Sequence, residues 1–322
     1  MRLIIREDRS DRRGTITAWK DPLWQHEKQM EPRIWKRKNT TNVPVEKVHL
    51  IENNIEIPLL HFPLLKETGI VKEAFTTRLG GVSEGIFSEF NLSFTRGDRR
   101  EAVEENYRRL SKALDVPYEN FVFSDQTHTT NVRRVYEKDA GNGITREREF
   151  CDVDGLITNV PGLVLATFYA DCVPLYFVDP IHCAIGLSHS GWRGTVNRMG
   201  QVTIQAMKKE FGTEPEDLRC AIGPSICQDC YEVSADVAEA FEKAFPGHRD
   251  EILIDKGTGK YQLDLHRANE IVLLDAGVQQ EHLEVTDICT CCNPNLLFSH
   301  RASHGKRGNL GAFMCLKQDA FM

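Results

Sequence analysis

The sequence predicts an α+β fold, a layered mixed-sheet single domain over residues 47–322. Three observations carry this: apolar runs of strand length, four amphipathic helical stretches among them, and the absence of internal repeats or low-complexity linkers.

From residue 47 onward the elements read in order. "IEIPLLHF" (55–62) and "VKEAFTTR" (71–78) are strands, the second running into the glycine turn "LGGVSEG". "EAVEENYRRLSKAL" (101–114) is a helix with Val103, Tyr107, Leu110 and Leu114 on one face and Asp98 as its expected N-cap. "FVFSDQTH" is a strand that stops at His128. "CDVDGLITN", "GLVLATFYADC" and "VPLYFVDPIHCAIGLSH" continue the strands, with "DPIH" as a turn. "TVNRMGQVTIQAMKKEF" (195–211) is an amphipathic helix, and "RCAIGPSI" a strand. Two more helices follow, capped by Ser234 and Asp264. The tail "NLLFSHRASHGKRGNLGAFMCL" reads as two short strands around a basic loop.

Composition excludes several function classes. A net charge of −7 gives no positive field for nucleic acid or an anionic membrane. The longest apolar runs, such as "PGLVLATFYA", fall short of the roughly 18 residues that span a bilayer. The start of the chain has no apolar signal core, so a cytoplasmic protein is expected. Its ten cysteines are then expected to be reduced thiols and metal ligands rather than disulfides. Residues 1–46 read as a polar N-terminal extension, with Met30 as an alternative start. No heptad or long apolar stripe suggests an oligomer, so a monomer is expected.

Three strand ends carry metal-type ligands: His128 in "QTH", Cys172 in "ADC" and His189 in "SHSGWRG". Two imidazoles and one thiolate suit Zn2+ and leave a fourth position open. The other reading is three unrelated side chains, since no compact motif joins them. "TTRLGGVSEG" and "NLSFTRGD" place Arg78, Asn91, Arg96 and Asp98 in flexible backbone, where arginines and amides bind phosphate or carboxylate. Arg193 has the same potential beside His189, and Trp192 either stacks on a flat ring or caps the core. Cys227-x-x-Cys230, with Cys289, Cys291 and Cys292 in "CTCC", invites a structural zinc site, although the second cluster lacks a clean Cys-x-x-Cys pattern. His266 and Arg267 are expected on the surface. The loop with His300, Arg301, His304, Lys306 and Arg307 is a solvated face or a lid over an anion.

Taken in order, "FTTRLGGVSEG", "NLSFTRGD", "QTH", "DGLITN…GLVLATFYADCVPLYFVDP", "IGLSHSGWRGTV", "AIGPSICQDCYEV" and "FSHRA…GKRGNLGAFMCL" resemble the YfiH/laccase-domain family over about residues 55–316. Its members have been called polyphenol oxidoreductases and are now associated with purine nucleoside phosphorylase activity. The resemblance implies a fold similar to the catalytic domain of cytotoxic necrotizing factor toxins. It also implies a zinc site at His128, Cys172 and His189. Phosphorolysis of adenosine, inosine, guanosine and S-methyl-5'-thioadenosine is implied, together with deamination of adenosine. Phosphate would then meet Arg78 and Arg193, with Asn91 and Trp192 beside the substrate. Asp171 is either an acid/base or a residue that orients a histidine. Ser190 stands where the family often has alanine, and residues 1–46 have no clear counterpart.

Three other readings remain. A copper-dependent phenol oxidase needs many histidine ligands, usually in HxH pairs, and the sequence has eleven histidines and no such pair. A non-catalytic nucleoside-binding protein needs only the pocket. A Cys–His hydrolase would use Cys172 or Cys230.

Overall fold

The structure, a computed structural model, describes residues 45–50 and 55–320. All the described residues fall within one compact unit, and the N-terminal extension lies almost wholly outside them.

The first half comprises β1 (Val45–Leu50), β2 (Ile55–Leu60), α1 (Pro63–Glu67), β3 (Val71–Thr76), α2 (Arg100–Leu114), β4 (Phe121–Phe123), β5 (Val132–Arg134) and β6 (Gly155–Thr158). Then come β7 (Val164–Tyr169), β8 (Val173–Asp179), β9 (Ala184–Ser190), α3 (Trp192–Val196), α4 (Met199–Phe211) and β10 (Arg219–Ile222). The remainder is β11 (Glu232–Ser234), α5 (Ala235–Ala244), α6 (Arg249–Ile252), β12 (Leu253–Asp255), β13 (Lys260–Leu263), α7 (Leu265–Asp275), β14 (Leu283–Val285) and β15 (Leu310–Leu316).

Two six-stranded sheets, in the orders β1-β2-β3-β15-β7-β4 and β14-β10-β8-β9-β6-β5, lie against each other. Most pairs are antiparallel, but β4–β7, β5–β6 and β10–β14 are parallel, so both sheets are mixed. A three-stranded sheet, β11-β13-β12, stands apart. Alternation in β7 shows how the layers form. Val164, Ala166 and Phe168 join the core beneath α2, while Tyr169 turns to the second sheet and donates to the Ser188 carbonyl at 3.0 Å. Tyr176 of β8 donates back to the Ala74 carbonyl of β3 at 3.0 Å. Helix α2 buries the expected Val103, Tyr107, Leu110 and Leu114. Helices α4 and α7 cover the outer face of the second sheet.

Several local expectations change. The helix read over 195–211 splits into α3 and α4, because Arg198 adopts a left-handed conformation at φ 57°. Asp98 does not cap α2, since its Oδ2 accepts from Asn91 and its Oδ1 from the Arg99 amide. Ser234 bonds Asp236 and makes no cap bond, whereas Asp264 accepts the Arg267 amide at 2.9 Å as expected. The tail carries one strand, β15, and residues 295–309 form turns and irregular loop. His266 is half-buried and bonds Ser225 at 2.7 Å, so it is not a surface residue.

Candidate metal centre and cavity

Register brings His189 and Cys172 together. In the β8–β9 hairpin Val173 pairs with Ser190 and Pro174 with His189, so Cys172, one residue before β8, lies at the end of β9. His128 arrives from β4 through a loop held to β7 by Gln126, which donates to the Phe168 carbonyl and accepts the Phe168 amide, both at 2.7 Å. The ligand atoms of His128, Cys172 and His189 all lie within 4.8 Å of one another. Cys172 Sγ stands 3.9 Å from His128 Nε2, close to the roughly 3.6 Å edge expected between N and S on one tetrahedral zinc.

Asp154, just ahead of β6, organises this group. Its Oδ1 accepts from His189 Nδ1 at 2.8 Å and from the His128 amide at 3.2 Å. Its Oδ2 accepts the amides of Thr127 and Thr129 and the Thr129 hydroxyl. The carboxylate therefore orients the His189 ring, leaving Nε2 for a metal, and holds His128 in a left-handed conformation at φ 66°. Burial alone would raise the Asp154 pKa, but the hydrogen bonds from His189 and the threonine amides outweigh it and hold the carboxyl below its usual range. Burial likewise opposes charge on Cys172 and His189. Their mutual attraction wins, pulling the thiol down to about 6 and the imidazole up to about 9. A thiolate donor is thus available at neutral pH.

Gly191 explains the glycine that follows "SHS". A Cβ there would sit 2.9 Å from His128 Cδ2 and 3.1 Å from Cys172 Sγ, so a side chain would displace both ligands.

The three ligands open into a cavity of about 850 Å3, within the range of small-molecule sites. Phe94, Phe123, Phe168 and Tyr169 supply apolar walls, and five arginines also line it. Three of those arginines have acidic partners: Arg100 with Glu104, Arg146 with Glu149, and Arg148 with Asp125. Arg96 and Arg307 form no ion pair among the described residues. Arg307 is buried, which lowers its pKa to about 10 with the help of the nearby Arg96 charge, and its Nε has no hydrogen-bond partner. Two adjacent guanidiniums with an unsatisfied buried donor suit an anion.

Other expected site residues lie elsewhere. Arg78 does not line this cavity. Its Nε donates to the Ser88 carbonyl at 2.7 Å, its Nη1 to the Pro294 carbonyl at 2.8 Å, and its guanidinium lies over Phe298. Arg193 is exposed and stacks on Trp192 at 4.3 Å, and Trp192 packs against the core of the second sheet. Neither lines the cavity. Asn91 is buried and braces the cavity wall, its Oδ1 accepting the Ser93 and Asn309 amides. Both carboxylate oxygens of Asp171 are engaged, one by the Thr290 hydroxyl at 2.6 Å and one by the Arg301 amide at 2.7 Å. Asp171 therefore ties loops together, and Asp154 orients the histidine.

A mixed two-sheet fold with a two-imidazole, one-thiolate group at the end of a β-hairpin defines a metal-associated domain. The chain belongs to the YfiH/laccase-domain family, whose profile, described as "Multi-copper polyphenol oxidoreductase laccase", matches residues 72–317. The purine nucleoside phosphorylase YlmD of Bacillus subtilis (strain 168) is 35% identical over 245 residues, covering 76% of this chain and 88% of that one. Adenosine deaminase RL5, from an unknown prokaryotic organism, is 35% identical over 231 residues, covering 71% and 88%. The crystal structure of YlmD from Geobacillus stearothermophilus superposes with a TM-score of 0.76 at 34% identity, covering 85% of this chain and all of that one. Among the described residues no helix is long and apolar enough to cross a membrane.

Proposed function

We propose that this chain is a zinc-dependent purine nucleoside phosphorylase. In this reading it acts on adenosine, inosine, guanosine and S-methyl-5'-thioadenosine, and also deaminates adenosine. The observation that carries the reading is one cavity that joins the three metal-type ligands, a set of aromatic walls and the two unpaired arginines. Zinc held by His128, Cys172 and His189 would supply Lewis-acid stabilisation of developing charge and an acidified water.

The chain's own residues set the rest. Phe94 and Phe168, both partly exposed in the cavity, offer apolar surface for a flat purine, with Phe123 packed behind Phe168. Arg96 and Arg307 take the phosphate role expected of Arg78 and Arg193, fixing the anion at high effective concentration. A phosphate oxygen then bonds to C1′ of the ribose as the C1′–N9 bond breaks, and the bonding pair leaves with the purine. Asn91 accepts the Asn309 amide, and the Asn309 side-chain oxygen accepts from Arg307 Nη1, which keeps Arg307 in place. The relatives named as phosphorylase and deaminase support both reactions. Ten free thiols fit a reducing, cytoplasmic setting.

The copper oxidase reading has less support. Two imidazoles and a thiolate also suit a blue-copper ion, but no methionine lines the cavity to give the long axial contact. Only one group containing histidine is found among the described residues.

The test is to incubate metal-replete protein with adenosine, with and without phosphate, and separate the products. Adenine with ribose 1-phosphate, formed only with phosphate, is the expected result, and inosine in both samples reports deamination. Adenosine left intact in both, with metal bound, overturns the enzyme reading in favour of a binding protein.

A further inference from the structure

The second cysteine cluster is closed where the first group is open. The sulfurs of Cys227, Cys230, Cys289 and Cys292 all lie within 4.8 Å of one another. The "CTCC" stretch thus contributes a Cys-x-x-Cys after all, through Cys289 and Cys292, while Cys291 stays outside the group. Two knuckles of the same spacing face each other. They are joined by a bridge between Ser225 and Cys289 and by the Thr290 amide donating to the Ser225 carbonyl at 3.0 Å.

The spacing of the sulfurs is informative. Cys227 and Cys292 are 4.0 Å apart, and Cys230 and Cys292 are 3.5 Å apart. A disulfide needs about 2.05 Å, and all four thiols are free. Four thiolates about 2.3 Å from one zinc form a tetrahedron with edges of about 3.8 Å. The observed separations bracket that edge. Two amides, those of Cys227 and Cys292, donate to Cys289 Sγ at 3.2 and 3.3 Å, which favours a charged sulfur. The Arg301 guanidinium donates to the Cys230 and Glu232 carbonyls, bringing positive charge to the cluster.

The geometry points to a second metal site, in which Cys227, Cys230, Cys289 and Cys292 hold one zinc-class divalent ion in a closed tetrathiolate. Four protein ligands leave no open position, so the ion is structural. It joins the two ends of the segment 231–288, which contains β11–β14 and α5–α7. It also reaches the first site. Thr290, inside the second knuckle, holds the Asp171 carboxylate, and Ile226, ahead of the first knuckle, donates to the Asp171 carbonyl at 3.0 Å. Asp171 precedes Cys172 and sits in a left-handed conformation at φ 90°. The ion would clamp the two loops that hold this peptide.

The test is a metal count on His189→Ala, in which the first site is disabled, purified under reductant and loaded with zinc or with Co2+ alone. One equivalent of tightly held metal is expected. The cobalt form should show the thiolate charge-transfer bands of tetrahedral coordination, and X-ray absorption should find four sulfur neighbours. Cys291→Ser in the same background should keep the metal and Cys292→Ser should lose it. If Cys292→Ser does not fold, the cobalt spectrum of His189→Ala decides alone. No retained metal, a mixed nitrogen and sulfur shell, or a Cys230–Cys292 disulfide in the reduced protein overturns the site. This result is independent of any nucleoside activity.

Discussion

The two thiol-bearing groups of this chain differ in what surrounds them. His128 comes from a loop after β4, Cys172 from the turn before β8 and His189 from the end of β9; they offer three donors and open into the cavity. Cys227, Cys230, Cys289 and Cys292 come from two loops, offer four donors and are not among the residues that line that cavity. Donor number and access together divide chemistry from stapling: a three-donor group leaves room for a reactant, and a four-donor group leaves none. The supports differ in the same way. A buried carboxylate, Asp154, orients the first group, whereas backbone amides cradle the second.

Substitution should separate the two roles. Cys172→Ala is expected to lower the turnover of adenosine with phosphate by about 10³-fold, the several kcal/mol that a metal contributes to charge stabilisation, with little change in melting temperature. Cys292→Ser should do the reverse. Releasing a cross-link around roughly 60 residues costs about 4 kcal/mol and lowers the melting temperature by about 10 °C. Turnover and thermal melts on both proteins check this, and equal effects on the two readouts would remove the distinction.

Asp154→Asn tests the support of the open group alone. It keeps the shape but cannot hold the same His189 tautomer. A loss of about 10- to 100-fold in metal affinity or activity is expected, with the second metal retained. Metal titration followed by assay measures it.

Glu284 provides a reference outside both groups. Burial, with Glu73 and Glu67 nearby, raises its pKa from 4.5 to about 7, against the hydrogen bond from the Leu64 amide. A carboxyl raised on folding stabilises the protein fully below pH 4.5, and that contribution is lost as pH rises through 7. Glu284→Gln should therefore gain stability over the parent between pH 6 and 8, by about 1–2 kcal/mol once partial exposure is allowed for. Denaturant melts at the two pH values check it, and a pH-independent difference would show that the carboxyl does not titrate there.

Much of the frame was legible along the chain. The helical face Val103, Tyr107, Leu110 and Leu114 follows from a period that any amphipathic helix must show, and the strand end at His189 from where an apolar run stops. The strand expected to stop at His128 ends at Phe123, and His128 stands in the loop beyond it. The anion-binding arginines were less legible. Arg78 and Arg96 sit in similar glycine-rich loops, yet Arg78 is taken by the Ser88 and Pro294 carbonyls and Arg96 faces the cavity. Asp154 heads the motif "DGLITN", but only the pairing of β6 with β9 brings it to His189. The signal available was an aspartate at the mouth of a buried strand.

Residue types and periodicities determined the α+β class, the helix faces, and the identity of the thiols and imidazoles able to bind a metal, because these depend on neighbours a few positions away. Which thiols share an ion, which arginine faces the cavity and which aspartate orients the histidine were decided by strand register and loop packing. Cys230 and Cys289, or His128 and Cys172, meet only after long stretches of chain have folded between them, and local spacing carries no record of that closure.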